Sequence, residues 1–215
     1  MKQRILTILS QCVGTLCHPL WMPTYGILLF CAAFGNQHAP LPIAYWLIAA
    51  LGTLFLTAII PLSLILFRIK QGTVTSIEIR NAQERTPIYI YTIVCYGFWC
   101  WFLLRVLHAP LVLFTIGIGA TLALVGILFI NRHWKISAHL TGIGGLIGGI
   151  CAYCLYMSAF PPLGLICLLL LVALIVMYSR IYTDAHTPQQ VVAGLLFGLI
   201  MTFFPSLLFN LITHV

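Results

Sequence analysis

Carboxylates are the scarcest chemistry in this sequence: among 215 residues only Glu78, Glu84 and Asp184 are acidic. Charge of either sign amounts to 6% of the chain, where an ordinary soluble domain carries about a quarter, and 62% is hydrophobic. A soluble fold is excluded. There is also no polar stretch long enough for a second domain, no low-complexity linker and no visible internal repeat, so residues 1–215 read as a single integral membrane domain. Cys151 and Cys154 form a CxxC with no second pair. The eight cysteines lie mostly in apolar runs and read as small hydrophobes, not as a disulfide framework or zinc loop. No small-residue cleavage site follows Lys2, Arg4 and the apolar stretch after them, and Gln11, His18 and Pro19 interrupt that stretch. Residues 1–19 are therefore expected to remain as an interfacial or kinked lead-in. As a helix, residues 5–17 rise only about 20 Å, too little to cross a bilayer.

What is present is a succession of apolar runs near the length needed to cross hydrocarbon. They predict an all-α polytopic transmembrane bundle of about six to seven spans, near 20–35, 43–67, 88–107, 110–130, 138–158, 162–179 and 188–212. Ten Lys and Arg against three acids give a formal charge of +7. The basic residues sit in short loops without an aromatic-interleaved stripe, which argues against nucleic acid and leaves a phosphate-bearing lipid in the bilayer as the expected partner.

Nearly all the polar chemistry falls in three loops: FRIKQGTVTSIEIRNAQERTP, NRHWKISAH and SRIYTDAHTPQQ. One hairpin of two spans separates each from the next, so all three emerge on the same membrane face. The positive-inside rule accounts for Lys2, Arg4, Arg68 and Lys70. Arg85, Lys135, His139, Arg180 and His186 lie at span boundaries, where ionisable groups are costly and are candidates for function. His18, His38, His108, His133 and His214 have no motif around them and read as structural or interfacial. The glycines of TGIGGLIGG lie inside a span. Gly144 with Gly148, Gly145 with Gly149, and later Gly194 with Gly198, predict close helix packing and not a phosphate loop.

Ser179-Arg180 and His186 have the spacing of SRxxxxxH; Ser137-Ala138-His139 stands where a PSGH would read Ser and His; Arg85-Thr86-Pro87 replaces a terminal RP, with Glu78 where a Lys would precede it. In this order and spacing the chain resembles the type 2 phosphatidic acid phosphatase (PAP2) superfamily over roughly residues 68–200, in three of its motifs. The resemblance implies a PAP2-like core and metal-independent hydrolysis of a lipid phosphate or diphosphate monoester, with no cofactor. It makes His186 the nucleophile that becomes phosphohistidine and His139 the general acid. Arg180, Arg85, Ser137, Lys135 and Arg80 are then the candidates for binding phosphate. Imidazole suits both catalytic roles near neutral pH. Without a metal, the charge spread over the transferring phosphoryl group must be met by cations and backbone amides. Where the family places Asp to hold the nucleophile's other ring nitrogen, this chain has Gln190, and Asp184 is a second candidate for orienting it.

The expected location is a bacterial inner (cytoplasmic) membrane. The basic N-terminal residues favour a cytoplasmic site; the resemblance favours the opposite face. Two alternative functions stay open on the sequence alone. One is a PAP2-like protein that binds lipid phosphate without turning it over. The other is a small-molecule transporter, although transporters place their sites near the midplane. A UbiA-like prenyltransferase would need paired Asp clusters, and the chain has one Asp.

Overall fold

The computed structural model describes residues 2–34, 41–77, 79, 81–157 and 159–213, and those residues contain helices and loops but no strand. Helix α1 (Lys2–Leu16) ends in a turn, and a 3-10 turn at Pro19–Trp21 leads into α2 (Met22–Phe34). Then follow α3 (Ile43–Leu54), α4 (Ile60–Lys70), α5 (Ala82–Trp101), α6 (Leu111–Ile130), α7 (Ala138–Tyr156), α8 (Leu163–Tyr182) and α9 (Pro188–Thr213). Among the described residues seven stretches are long and apolar enough to cross a membrane: Gln3–Phe34, Ile43–Lys70, Gln83–Val106 and the helical regions of α6 to α9. The chain is an integral membrane protein with an all-helical bundle. Its outer surface carries exposed Leu47, Phe98, Trp101, Leu170 and Leu174, as a lipid-facing surface should.

Two of the boundaries that differ from the sequence expectation bear on the site. Helix α5 starts at Ala82, well before Pro87, because the Asn81 side chain caps it by accepting a hydrogen bond from the Gln83 amide at 3.1 Å. Arg85 therefore sits on the opening turns of a helix and not in a loop. Helix α8 runs to Tyr182, which places Ser179 and Arg180 on its last turn. Two π-helical segments, Phe55–Ile59 and Phe102–Val106, were not expected from the sequence. The first immediately precedes Pro61, whose missing N–H disturbs the regular hydrogen-bond ladder.

Helix α7 is the most enclosed span, packed against α9, α6 and α8. In a bilayer apolar surface gains nothing by leaving lipid for another helix, so close association relies on small residues and van der Waals contact. The α7–α9 seam is built this way. A Cβ on Gly144 would collide with the Leu195 carbonyl, one on Gly148 with the Leu199 carbonyl, and one on Gly198 with the Thr141 carbonyl. This is the packing role the glycine spacing predicts. The seam holds the first turn of α7 beside the first turn of α9, where the Ser137 amide donates to the Gln190 carbonyl at 3.3 Å. Gly198→Val is expected to lose about 3 kcal/mol or more of stability, since its obstacle is backbone and cannot rotate away. Gly164→Val, which meets nothing within 4 Å, should be silent. Thermal unfolding in detergent compares the two, and equal midpoints would mean the seam has room.

Candidate functional site

The three polar loops converge at one end of the bundle, around a cavity of about 70 Å³. Its basic lining residues are Arg85, Lys135, His139, Arg180 and His186, joined by His18. Four are placed by helix ends: Arg85 by the start of α5, His139 by the start of α7, Arg180 by the end of α8, and His186 by the turn into α9. Among the described residues no carboxylate lines this cavity.

His186 is buried, and its Nδ1 lies 3.1 Å from Gln190 Oε1 and 3.2 Å from the Lys135 carbonyl. The Thr187 amide donates to the same Oε1 at 3.2 Å, which identifies that atom as the amide oxygen. Both neighbours of Nδ1 are thus acceptors. Nδ1 carries the hydrogen, and Nε2 of the neutral ring holds the lone pair. Burial is the main cause of a pKa lowered to about 4, and the cations of Arg85 and then Lys135 push the same way; the Gln190 and Lys135 hydrogen bonds oppose them. The ring is uncharged at neutral pH.

His139 is buried and its Nε2 stands 3.1 Å from the Gly14 carbonyl, again an acceptor, so Nε2 is protonated and Nδ1 is the nitrogen left for a ligand. Arg180 is fully buried against α1. Its Nη2 donates to the Ser10 carbonyl at 3.4 Å, and the guanidinium packs so tightly on Gly14 that any side chain there would displace it. Ser179 Oγ also donates to the Ser10 carbonyl, at 2.8 Å. Helix α1 therefore backs His139 and Arg180 through its backbone without itself lining the cavity.

Arg85 Nε donates to the Ile79 carbonyl at 2.7 Å, which anchors the guanidinium while its buried Nη1 has no hydrogen-bond partner among the described residues. Ile79 itself has φ +44°, an uncommon backbone conformation for a β-branched residue, and it presents that carbonyl. Ser137 is completely buried and its Oγ likewise has no partner among the described residues, although it does not line the cavity. An unmet buried donor beside a cationic pocket is a place where an anion's oxygens can be accommodated.

Of the other candidates, Lys135 is half-buried on the cavity wall. Asp184 is exposed, at φ +51°, and its side chain makes no hydrogen bond among the described residues. Gln190 is the residue in contact with the His186 ring. Arg80, together with Glu78, lies outside the described residues. The sequence reading set His18 aside, yet its ring packs edge-on against His139 with centroids 5.5 Å apart and lines the cavity. Its position just ahead of the span expected at residues 20–35, on the same face as the polar loops, was the available signal.

Among the described residues no group of three His, Cys, Asp or Glu stands close enough to hold a metal ion. No protein-family model, curated protein or solved structure matches the chain.

Proposed function

We propose that this protein is a phosphatase with a PAP2-like core over about residues 68–200, acting in a bacterial inner membrane. It hydrolyses a lipid phosphate or diphosphate monoester without a metal. The observation that carries the reading is the His186 ring, held by Gln190 with Nε2 unprotonated, beside a buried Arg85 whose Nη1 has no partner among the described residues. Nε2 attacks the terminal phosphorus, its bond to the leaving oxygen breaks (an ester in a lipid phosphate, an anhydride in a diphosphate), and that oxygen takes a proton from His139. Water then attacks the phosphohistidine, gives a proton back to His139 and releases inorganic phosphate. His139 is an acid only when Nδ1 also carries a proton, a state that an approaching phosphate dianion favours. Arg85, Arg180 and Lys135 meet the charge on the transferring group.

Release of phosphate by the purified chain from a panel of lipid phosphates, in EDTA, tests the proposal. Turnover that survives the chelator and is blocked by vanadate supports it; an absolute divalent-metal requirement counts against it. One observation favours binding without turnover: Arg180 and His139 already engage the α1 backbone. Bound lipid with no phosphate released would establish that reading.

The contact at Gln190 leads to a further expectation. Gln190→Leu frees the His186 ring and should slow phosphohistidine formation by about 10- to 100-fold, the usual scale for losing a group that orients a functional imidazole. Gln190→Asp keeps an acceptor and should retain activity. Asp184→Asn should change little. Single-turnover measurements read this step apart from product release, and a damaging Asp184→Asn with a silent Gln190→Leu would reverse the assignment.

A further inference from the structure

The charged cavity does not end in the protein interior. Pro19, Tyr96, Leu124 and Ala138 line it and also line a second cavity of about 100 Å³ whose walls are almost entirely apolar. That cleft follows three helices at one-turn intervals. Its lining passes from Pro19 to Met22, Gly26 and Phe30 along α2, and from Ala138 to Gly142, Gly145 and Gly149 along α7. On α6 it runs from Ile127 through Ala123 and Ala120 to Leu113. Helix α2 packs mainly on α3 and α7, and α6 on α5, α7 and α9, so the gap between α2 and α6 is where the cleft lies. At its far end Phe30 and Leu113 are shared with a third cavity of about 290 Å³, which also touches Trp46, Tyr153 and Tyr156. Phe30 stands between the two, packed edge-on against Tyr153 at 5.2 Å. From Ala138 to Tyr156 the lined path rises about 27 Å along α7, close to the roughly 30 Å of a bilayer's hydrocarbon.

One end of this path is cationic and buried; the cleft that follows it is apolar and narrow. An apolar cavity of about 150 Å³ takes a single benzene ring, so a cleft of about 100 Å³ has no room for two hydrocarbon chains side by side. Small residues line it on both sides, Ala120 and Ala123 on α6 and Gly142, Gly145 and Gly149 on α7.

We infer that the site takes a phosphate or diphosphate carried on a single hydrocarbon chain, that this chain threads the bundle between α2, α6 and α7, and that Phe30 and Leu113 form the stop that sets its length. The inference rests on the phosphatase reading for the identity of the head group, but the chain's path is tested without turnover. A long-chain alkyl phosphonate with a photoactivatable diazirine at its far end cannot be hydrolysed, and its cross-links to the full-length protein can be mapped by peptide mass spectrometry. Labels on α2, α6 and α7 around Phe30 and Leu113 are expected. Labels on outward residues such as Phe98, Leu170 and Leu171 would overturn the path.

Single-chain alkyl phosphates should suppress this labelling roughly tenfold or more better than diacyl phosphatidic acid; equal competition would overturn the single-chain claim. Ala123→Phe fills the cleft midway and should lower the ratio of long-chain to short-chain kcat/KM roughly tenfold or more. An unchanged ratio in folded protein would remove the cleft from substrate binding. Phe30→Ala joins the cleft to the far cavity, and a longer probe should then label Trp46 or Tyr153. Labelling that stays put would overturn the stop. If no lipid phosphate is hydrolysed yet labels fall inside the cleft, the phosphatase reading fails and the chain path stands. If phosphate is released while labels stay confined to the outer surface, the phosphatase reading stands and the chain path fails.

Discussion

Replacing His186 by Ala is expected to reduce phosphate release by at least about 10⁴-fold, the scale on which a covalent nucleophile is lost. The substitution removes a buried ring whose partners, Gln190 and the Lys135 carbonyl, lie at the surface end of the bundle, so the spans should remain assembled. Retained phosphate release in folded protein would eliminate the phosphohistidine mechanism. The same variant identifies the ring's own titration. A pKa lowered from the ordinary 6.5 to about 4 means that the neutral form, which bears the lone pair, persists as pH falls and is lost only near 4. In protein with ¹⁵N-labelled histidines, the signal missing from His186→Ala should titrate near 4 and not near 6.5. A normal midpoint would mean that burial and the Arg85 charge act more weakly than the geometry implies.

Arg85→Ala is expected to lower kcat by about 10²- to 10³-fold, comparable to deleting one donor aimed at transition-state charge. Arg85→Lys should rescue little. The guanidinium divides its labour: Nε holds the Ile79 carbonyl at 2.7 Å, which leaves Nη1 for a ligand. A lysine ammonium on a flexible stem cannot hold the Ile79 carbonyl and present a planar fork at once. Steady-state kinetics on both variants checks this, and a lysine enzyme near wild-type rates would reduce the role of Arg85 to that of a point charge.

The large-scale arrangement was legible because it depends on counting. Apolar runs of membrane length predict the bundle, and an even number of spans between polar loops puts Arg85, Lys135, His139, Arg180 and His186 at one end, where they line one cavity. Glycine spacing predicts the α7–α9 seam because small residues four apart share a helix face. What the sequence did not disclose are contacts made by backbone across long separations. The His139 bond to the Gly14 carbonyl joins residues 125 positions apart, and that of Arg180 to Ser10 joins residues 170 apart. Any residue type presents a carbonyl, so no side-chain pattern marks the partner. His18 sits in no motif, so only its place on the face of the polar loops marked it; its relevance lies in packing against His139. The start of α5 lies earlier than the sequence suggests because Pro87 reads as the opening of a helix, whereas the cap that opens it is Asn81.

The gathering of every charged group of the site at one end of the bundle has an electrical consequence. A transporter that carries an anion between faces does work against the membrane potential, about 2.3 kcal/mol per elementary charge per 100 mV. Here the phosphate would dock and depart on the same side, and only the uncharged chain would extend into the region where the potential drops. In proteoliposomes, phosphate release should therefore keep the same rate when a potassium diffusion potential of either sign is imposed. A rate that rises with one polarity and falls with the other would mean that charge crosses the bilayer during the cycle, and the protein would then be moving its ligand.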